Sequence, residues 1–481
     1  MTQQSEPATT ARPRVVVLGG GPGGYEAALV AAQLGADVTV AERSGLGGSA
    51  VLTDVVPSKT LIATAEVMQL VDDSVELGVR FPGGSGGAAP DGAVSVNLAT
   101  VNKRVTALAS AQSDDVARRL EREGVTLVRG QGRLDGPQRV VVRPEGTGDA
   151  AGDQVLHADV VLVATGAHPR TLPDARPDGE RILTWTQLYE LTELPRRLVV
   201  VGSGVTGAEF ASAYDALGAD VVLVSSRDRV LPGEDADAAQ VIEEVFRRRG
   251  MTVLPRSRAA SVRRDGDGVV VTLEDGRTVE GSHVLMAVGS VPNTTGLGLE
   301  ESGVALTASG HIETDRVSRT TARGVYAAGD CTGVLPLASV AAMQGRIAMW
   351  HALGDAVSPL DQRTVSATIF TEPEIATVGW TQAQIESGEA QGVVVKLPLA
   401  GNPRAKMQGI HEGFVKLFAR TGSGTVIGGV VVAPRASELI FPVTLAVEHR
   451  LTVDDVAHAF TVYPSLSGSI AEAARRLHRT S

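Results

Sequence analysis

RVVVLGGGPGGYEAALVAAQLG, running from Arg14 to Gly35, is the stretch from which the rest of the chain can be read. Val15–Leu18 is a short apolar run of the kind that forms a strand buried on both faces. Tyr25–Leu34 is rich in Ala and Leu, with Gly35 placed to end a helix. Between them Gly19, Gly21 and Gly24 satisfy G-x-G-x-x-G. The first glycine of that pattern permits a tight turn, the second lets a pyrophosphate approach the backbone, and the third lets helix and strand pack closely. The helix N-terminus adds amide donors and a favourable dipole for phosphate. A second strand, Asp37–Ala41, leads to Glu42, 18 residues beyond Gly24, where a carboxylate would accept hydrogen bonds from an adenosine ribose. A glycine triplet alone is weak, but strand, triplet, helix, strand and acid in register strongly indicate a dinucleotide site.

The same device recurs at Leu198–Val201, followed by Gly202, Gly204 and Gly207, a helix around Ala208–Leu217 and a strand at Asp220–Val224. Here the position 18 residues beyond the last glycine is Ser225, and Ser226, Arg227, Asp228 and Arg229 follow. A carboxylate would repel a 2′-phosphate, whereas Ser225, Ser226 and Arg227 suit one. The second site therefore favours NADP(H), with use of NAD(H) left open. Two dinucleotide sites in one chain suggest a hydride passing from a nicotinamide to a second dinucleotide, most naturally FAD. Ala164-Thr165-Gly166 and Ala287-Val288-Gly289 follow apolar strands and read as points where the chain changes domain. Val325–Asp330 reads as a strand ending in a carboxylate suited to the ribityl hydroxyls of a flavin.

Composition sets the bounds. The 481 residues carry 44 Lys+Arg against 55 Asp+Glu, a formal charge of −11 that disfavours indiscriminate nucleic-acid binding. At roughly 100–200 residues per domain the length implies two to four domains. No run approaches the ~18 apolar residues of a membrane span, and the polar first residues hold no apolar leader, so a soluble cytoplasmic protein without membrane insertion is expected. The many glycines fall mostly at turns between strands and helices, and Pro82–Gly92 reads as a flexible surface insertion. The nine histidines show no metal-ligand spacing, and no metal is assigned. A single cysteine excludes any intramolecular disulfide.

With these pieces in place, the chain resembles the flavoprotein disulfide reductases of the lipoamide dehydrogenase type over essentially its whole length. The matching stretches are Gly19–Gly24, Gly47-Gly48-Ser49 to Pro57-Ser58-Lys59, Ala164–Gly166, Gly202–Glu209, Gly289–Asn293, Gly329-Asp330, Phe370–Gly379 and Glu438–Ile440. The resemblance implies an α/β fold: two Rossmann-like dinucleotide-binding domains plus a C-terminal α+β dimerisation domain. Residues 12–168 and 284–353 would bind FAD, 169–283 would bind NAD(P), and 359–481 would form a homodimer. It further implies an ion pair of Lys59 with Glu209 near flavin N5 and a backbone contact from Ala338 to the flavin. Gly23, Gly48, Gly132, Thr165 and Gly166 join the expected FAD-binding positions, and Val205, Thr206 and Gly289 the remaining cofactor positions.

The departures are specific. The family places two cysteines, five positions apart, where this chain has Ala50 and Val55. Its C-terminal His and Glu are here Tyr463 and Gly468. Dithiol exchange needs a nucleophilic thiolate and a partner sulfur, which neither Ala nor Val supplies. A phenol titrating near ~10 does not replace a histidine base at neutral pH. Disulfide reduction is therefore excluded, while the nicotinamide-to-flavin step is intact. Cys331, beside Asp330, reads as a core cysteine. The departures are similar to those of lipoamide dehydrogenase-like NAD(P)H:quinone reductases, which implies a quinone-like acceptor reduced directly by the flavin. Tyr463, brought by the partner subunit, would either donate to the quinone or fill the space of the missing histidine. Two alternatives stand beside this reading: a soluble pyridine nucleotide transhydrogenase, and a flavin-bearing scaffold or redox sensor without catalysis.

Overall fold

A computed structural model describes residues 12–80, 94–145 and 152–478; Pro82–Gly92 lies outside them. The chain divides into two compact units. The first comprises residues up to Pro57, Thr106–His168 and Ser290–Leu360. Its sheet has seven strands, in the order Val325–Ala327, Val160–Val163, Arg14–Leu18, Asp37–Glu42, Thr126–Leu134, Arg139–Pro144 and Gln154–His157. The first five run parallel, and the last two join antiparallel. Val15, Val16, Val17 and Leu18 are all buried, as a parallel strand covered on both faces requires. On one face the Pro22–Gln33 helix packs against Ala338–Ala352. A Cβ at Gly345 would lie 2.1 Å from the Gly23 carbonyl oxygen, so only glycine allows these two backbones to approach so closely.

The second unit holds Ser58–Val105, Pro169–Gly289 and the chain from Asp361 onward. A parallel five-stranded sheet runs Thr252–Leu254, Asp220–Val224, Arg197–Val201, His283–Met286 and Ile182–Thr184. Val284–Met286, expected at the start of the returning 284–353 segment, pairs here with residues 199–201, and the division between units falls after Gly289. A three-stranded antiparallel sheet, Ala259–Asp265, Gly268–Leu273 and Thr278–Gly281, precedes that strand. The C-terminal part is an antiparallel sheet ordered Ser366–Ile369, Glu374–Gly379, Val426–Ala433, Phe414–Arg420 and Gly392–Pro398, carrying the closing helices on its face. Two of these helices, Ala436–Leu439 and Phe441–Glu448, follow one another with a break between them. Pro442, which has no N–H and fits only the first turn of a helix, accounts for the break. Among the described residues no helix is long and apolar enough to cross a membrane.

Candidate functional site

Two phosphate cradles, one in each unit, are built alike. In the first, Gly19 has φ 99°, and a Cβ on it would lie 2.3 Å from the Ala164 carbonyl oxygen. A Cβ on Gly24 would lie 1.9 Å from the Gly19 oxygen. Gly21 caps the helix at φ −68°, and a Cβ there would meet nothing within 4 Å. The second repeats each element: Gly202 at φ 114° and 2.1 Å from the Ala287 oxygen, Gly207 at 1.8 Å from the Gly202 oxygen, Gly204 capping at φ −73° with open space around it. The outer glycines are required by the protein's own packing. The middle glycine is not, and the open space beside it is of the kind that lets a pyrophosphate approach a backbone.

Around the first cradle, Glu42 Oε2 accepts the Gly20 amide at 2.6 Å, and Oε1 accepts Ser44 at 2.6 Å and Gly45 at 3.3 Å. Glu42 thus ties down the loop, and an ionised carboxylate's four lone-pair sites leave capacity for a ribose. Gly48 has φ 55°, and its Cβ would lie 2.9 Å from Gly21 Cα. Gly23 packs toward Ala328, and Gly132 closely approaches Leu18 and Ala41. Thr165 Oγ1 donates to the Asn293 carbonyl at 2.7 Å, and Asn293 returns a bond to the Thr165 carbonyl at 2.9 Å, with Gly166 turning at φ 67° between them. Burial pushes the Asp330 carboxyl above its ordinary range, and among the described residues it receives no hydrogen bond. A partly buried carboxylate with no protein donor keeps its acceptor capacity for a polyhydroxyl chain. Ala338 opens its helix after Leu337, which offers no capping side chain. These features fit FAD.

Cys331 is 0% exposed, packed among the strands of the first unit, and its Sγ faces the Ala328 carbonyl at 3.3 Å. Burial raises its thiol to about 11, which leaves it inert. Ala50 lies on the Gly48–Leu52 helix, and Val55 starts the next helix with its side chain partly exposed.

In the second unit Lys59 Nζ meets Glu209 Oε2 at 2.8 Å. Glu209 is buried, and its other oxygen accepts the Phe370 amide at 2.8 Å. The Lys59 ammonium also sits 4.7 Å from the centre of the Phe370 ring. Phe370 was read from sequence only as part of a matching stretch; its amide and its ring are what hold the pair. Val205 and Thr206 open the helix after Gly204, and Gly289, at φ 91°, accepts the Arg170 amide. Ser225 is 0% exposed. Its hydroxyl pairs with Ser203 Oγ at 2.7 Å and accepts the Arg227 amide at 3.2 Å. It therefore locks the turn to the glycine loop, while Ser226 and Arg227 stand exposed. A serine at the second position of the glycine loop was the overlooked signal for that tie. Tyr463 is 82% exposed.

Residues 13–345 match the family model described as pyridine nucleotide-disulphide oxidoreductase, and residues 365–474 match its dimerisation domain. A Mycobacterium tuberculosis protein named NAD(P)H dehydrogenase (quinone) is 55% identical over 469 residues, 96% of this chain and 94% of that protein. Dihydrolipoyl dehydrogenase of Bacillus subtilis is 33% identical, covering 95% of each chain. The crystal structure of LpdA from Mycobacterium tuberculosis superposes with a TM-score of 0.90 at 54% identity, over 97% of this chain and 100% of that one. The HOCl-induced flavoprotein disulfide reductase RclA of Escherichia coli shares the fold at a TM-score of 0.83 and 23% identity, over 96% of this chain and 99% of that one. By its two matched domains and by these relatives, the chain belongs to the pyridine nucleotide-disulphide oxidoreductase family, whose members bind FAD and NAD(P).

Proposed function

We propose that the protein is an NAD(P)H:quinone oxidoreductase, working as a cytoplasmic homodimer with FAD as resident cofactor and NADPH as preferred donor. One observation carries the reading: both dinucleotide cradles and the Lys59–Glu209 pair are complete, yet positions 50 and 55 hold Ala and Val, and the sole cysteine is a buried, inert thiol. The name of the 55%-identical relative supports the same acceptor class.

The Gly19–Gly24 loop, Glu42, Asp330 and the Ala338 helix start would hold FAD. When bound, FAD supplies two-electron chemistry between a nicotinamide and an acceptor. The Gly202–Gly207 loop holds the pyrophosphate of the donor, and Ser226 and Arg227 favour a 2′-phosphate. Glu209 fixes the Lys59 ammonium in one place, so the positive charge assigned to the flavin step needs no reorganisation. Ala50 and Val55 contribute apolar surface suited to an aromatic acceptor, and Tyr463 is assigned to the acceptor side.

Steady-state assays with NADPH and a quinone, run beside NADPH and an NAD analogue, test the proposal. Turnover with the quinone well above the oxygen background is expected. Equal turnover with the NAD analogue would favour a transhydrogenase, and no turnover with either would leave only a scaffold. Anaerobic titration adds a second arm: one equivalent of NADPH should reduce the flavin fully, without a thiolate–flavin charge-transfer band. Uptake of a second equivalent would reveal a redox centre that the cysteine count excludes.

A further inference from the structure

We infer that Arg256, on the loop after the strand next to Asp220–Val224, is a second specificity-determining residue for the 2′-phosphate of the donor, acting together with Arg227. The inference rests on the NADP(H) reading of the second cradle and deepens it. Thr252–Leu254 runs parallel to Asp220–Val224, with Val224 opposite Leu254, so both strands end at the same edge of the sheet. Adenosine-end recognition in a parallel nucleotide-binding sheet takes place at that carboxyl edge. The pairing continues past the strand ends. The Ser257 amide donates to the Ser225 carbonyl at 2.7 Å, and the Arg256 amide donates to the Arg227 carbonyl at 2.7 Å. Arg256 and Arg227 are therefore held as backbone neighbours, and Ser225 ties the same turn to Ser203 of the glycine loop.

The side chains divide cleanly. Arg229 Nη2 is committed to the Pro232 and Glu234 carbonyls, both at 3.3 Å, and Arg258 faces Glu274. Arg227 and Arg256 are exposed and, among the described residues, their guanidinium groups make no ion pair or hydrogen bond. Arg256 also has φ 49°, a left-handed conformation that an arginine adopts at a cost and that glycine would adopt freely. The Arg256 and Ser257 backbone hydrogen bonds keep this strained conformation in place at an exposed position, and retained strain of this kind concentrates at functional sites. Asp228 is exposed between them in sequence and opposes an anion, but two guanidinium groups outweigh one carboxylate, and each can meet a phosphate with paired N–H donors.

The test uses the purified flavoenzyme and the variants Arg227→Gln, Arg256→Gln and Arg256→Lys. Calorimetric binding of 2′,5′-ADP is compared with that of AMP, beside anaerobic flavin reduction by NADPH and by NADH. Arg256→Gln is expected to weaken 2′,5′-ADP binding about tenfold, as loss of one charge-assisted contact implies, with AMP binding unchanged. The NADPH concentration for half-maximal reduction should rise by the same factor at an unchanged limiting rate, and Arg256→Lys should restore part of the loss. Retained 2′,5′-ADP affinity in Arg256→Gln, with a loss in Arg227→Gln, would overturn the role of Arg256 alone. A wild-type protein that binds AMP as tightly as 2′,5′-ADP would overturn the NADP(H) reading and the inference with it.

Discussion

Three glycines separated by fixed intervals look equivalent on paper, and the backbone assigns them different duties. Gly207 faces the Gly202 carbonyl with no room for a Cβ, whereas Gly204 has nothing within 4 Å of where its Cβ would be. Gly204→Ala is accordingly expected to fold with an unchanged melting temperature, since φ −73° suits alanine. The added methyl would occupy the pyrophosphate's approach, and KM for NADPH should rise about tenfold or more. Gly207→Ala should instead lower the melting temperature, because helix and strand must separate. A Gly204→Ala enzyme with normal KM would mean that the pyrophosphate does not pass this point. The glycine spacing was legible in the sequence because each duty is local. The duty of Ser225 was not: its burial against Ser203 depends on where the glycine loop lies in space.

Elements in the second unit are joined by a buried charge that no motif announced. Lys416, on the Phe414–Arg420 strand, is 1% exposed. Its ammonium lies 2.8 Å from both oxygens of Asp235 and 2.7 Å from Asp237 Oδ2 and Gln382 Oε1. Asp235 in turn caps the Ala236–Arg248 helix by accepting the amides of Asp237 and Ala238. One lysine thus ties the C-terminal sheet to the helix that follows the Ser225–Arg229 turn. Lys416→Met would leave the Asp235 carboxylate buried without its cation, and a loss of about 3–5 kcal/mol in unfolding free energy is expected. Adding Asp235→Asn should recover part of it, which denaturation of the single and double variants will read directly. Full additivity of the two losses would show that the residues do not act as a pair. A lysine within a strand cannot reveal its partner from the sequence, since that partner lies 181 positions away.

Stability as a function of pH belongs to the molecule as a whole, and two carboxyls shape it here. Burial raises Asp215 to about 6 and Glu372 to about 7, with Arg249 opposing both. In the unfolded chain such groups titrate near ~4, so between about pH 4 and 7 the folded state binds more protons than the unfolded one. Their contribution to stability therefore falls as pH rises through that window. Asp215→Asn and Glu372→Gln should flatten the fall, each variant gaining about 2 kcal/mol on wild type near pH 8 and nothing near pH 4. Urea denaturation across that range checks this, and an unchanged slope in both variants would contradict it.

The sequence by itself determined the two dinucleotide devices, the parallel sheets around them and the absence of disulfide chemistry. All three rest on local spacing or on residue identity: a turn needs its glycines, a buried strand its valines, and dithiol exchange its sulfurs. The interruption at Ile440 is also local, since Pro442 forbids a continuous helix. Tertiary structure alone decided which polar groups are committed and which remain free. Glu209 is oriented by the amide of Phe370, Ser225 is consumed by its own turn, and Arg256 stands beside Arg227 although the two are 29 positions apart in the chain. Hydrogen-bond capacity is a property of each residue, but its commitment depends on neighbours that only the folded chain assembles.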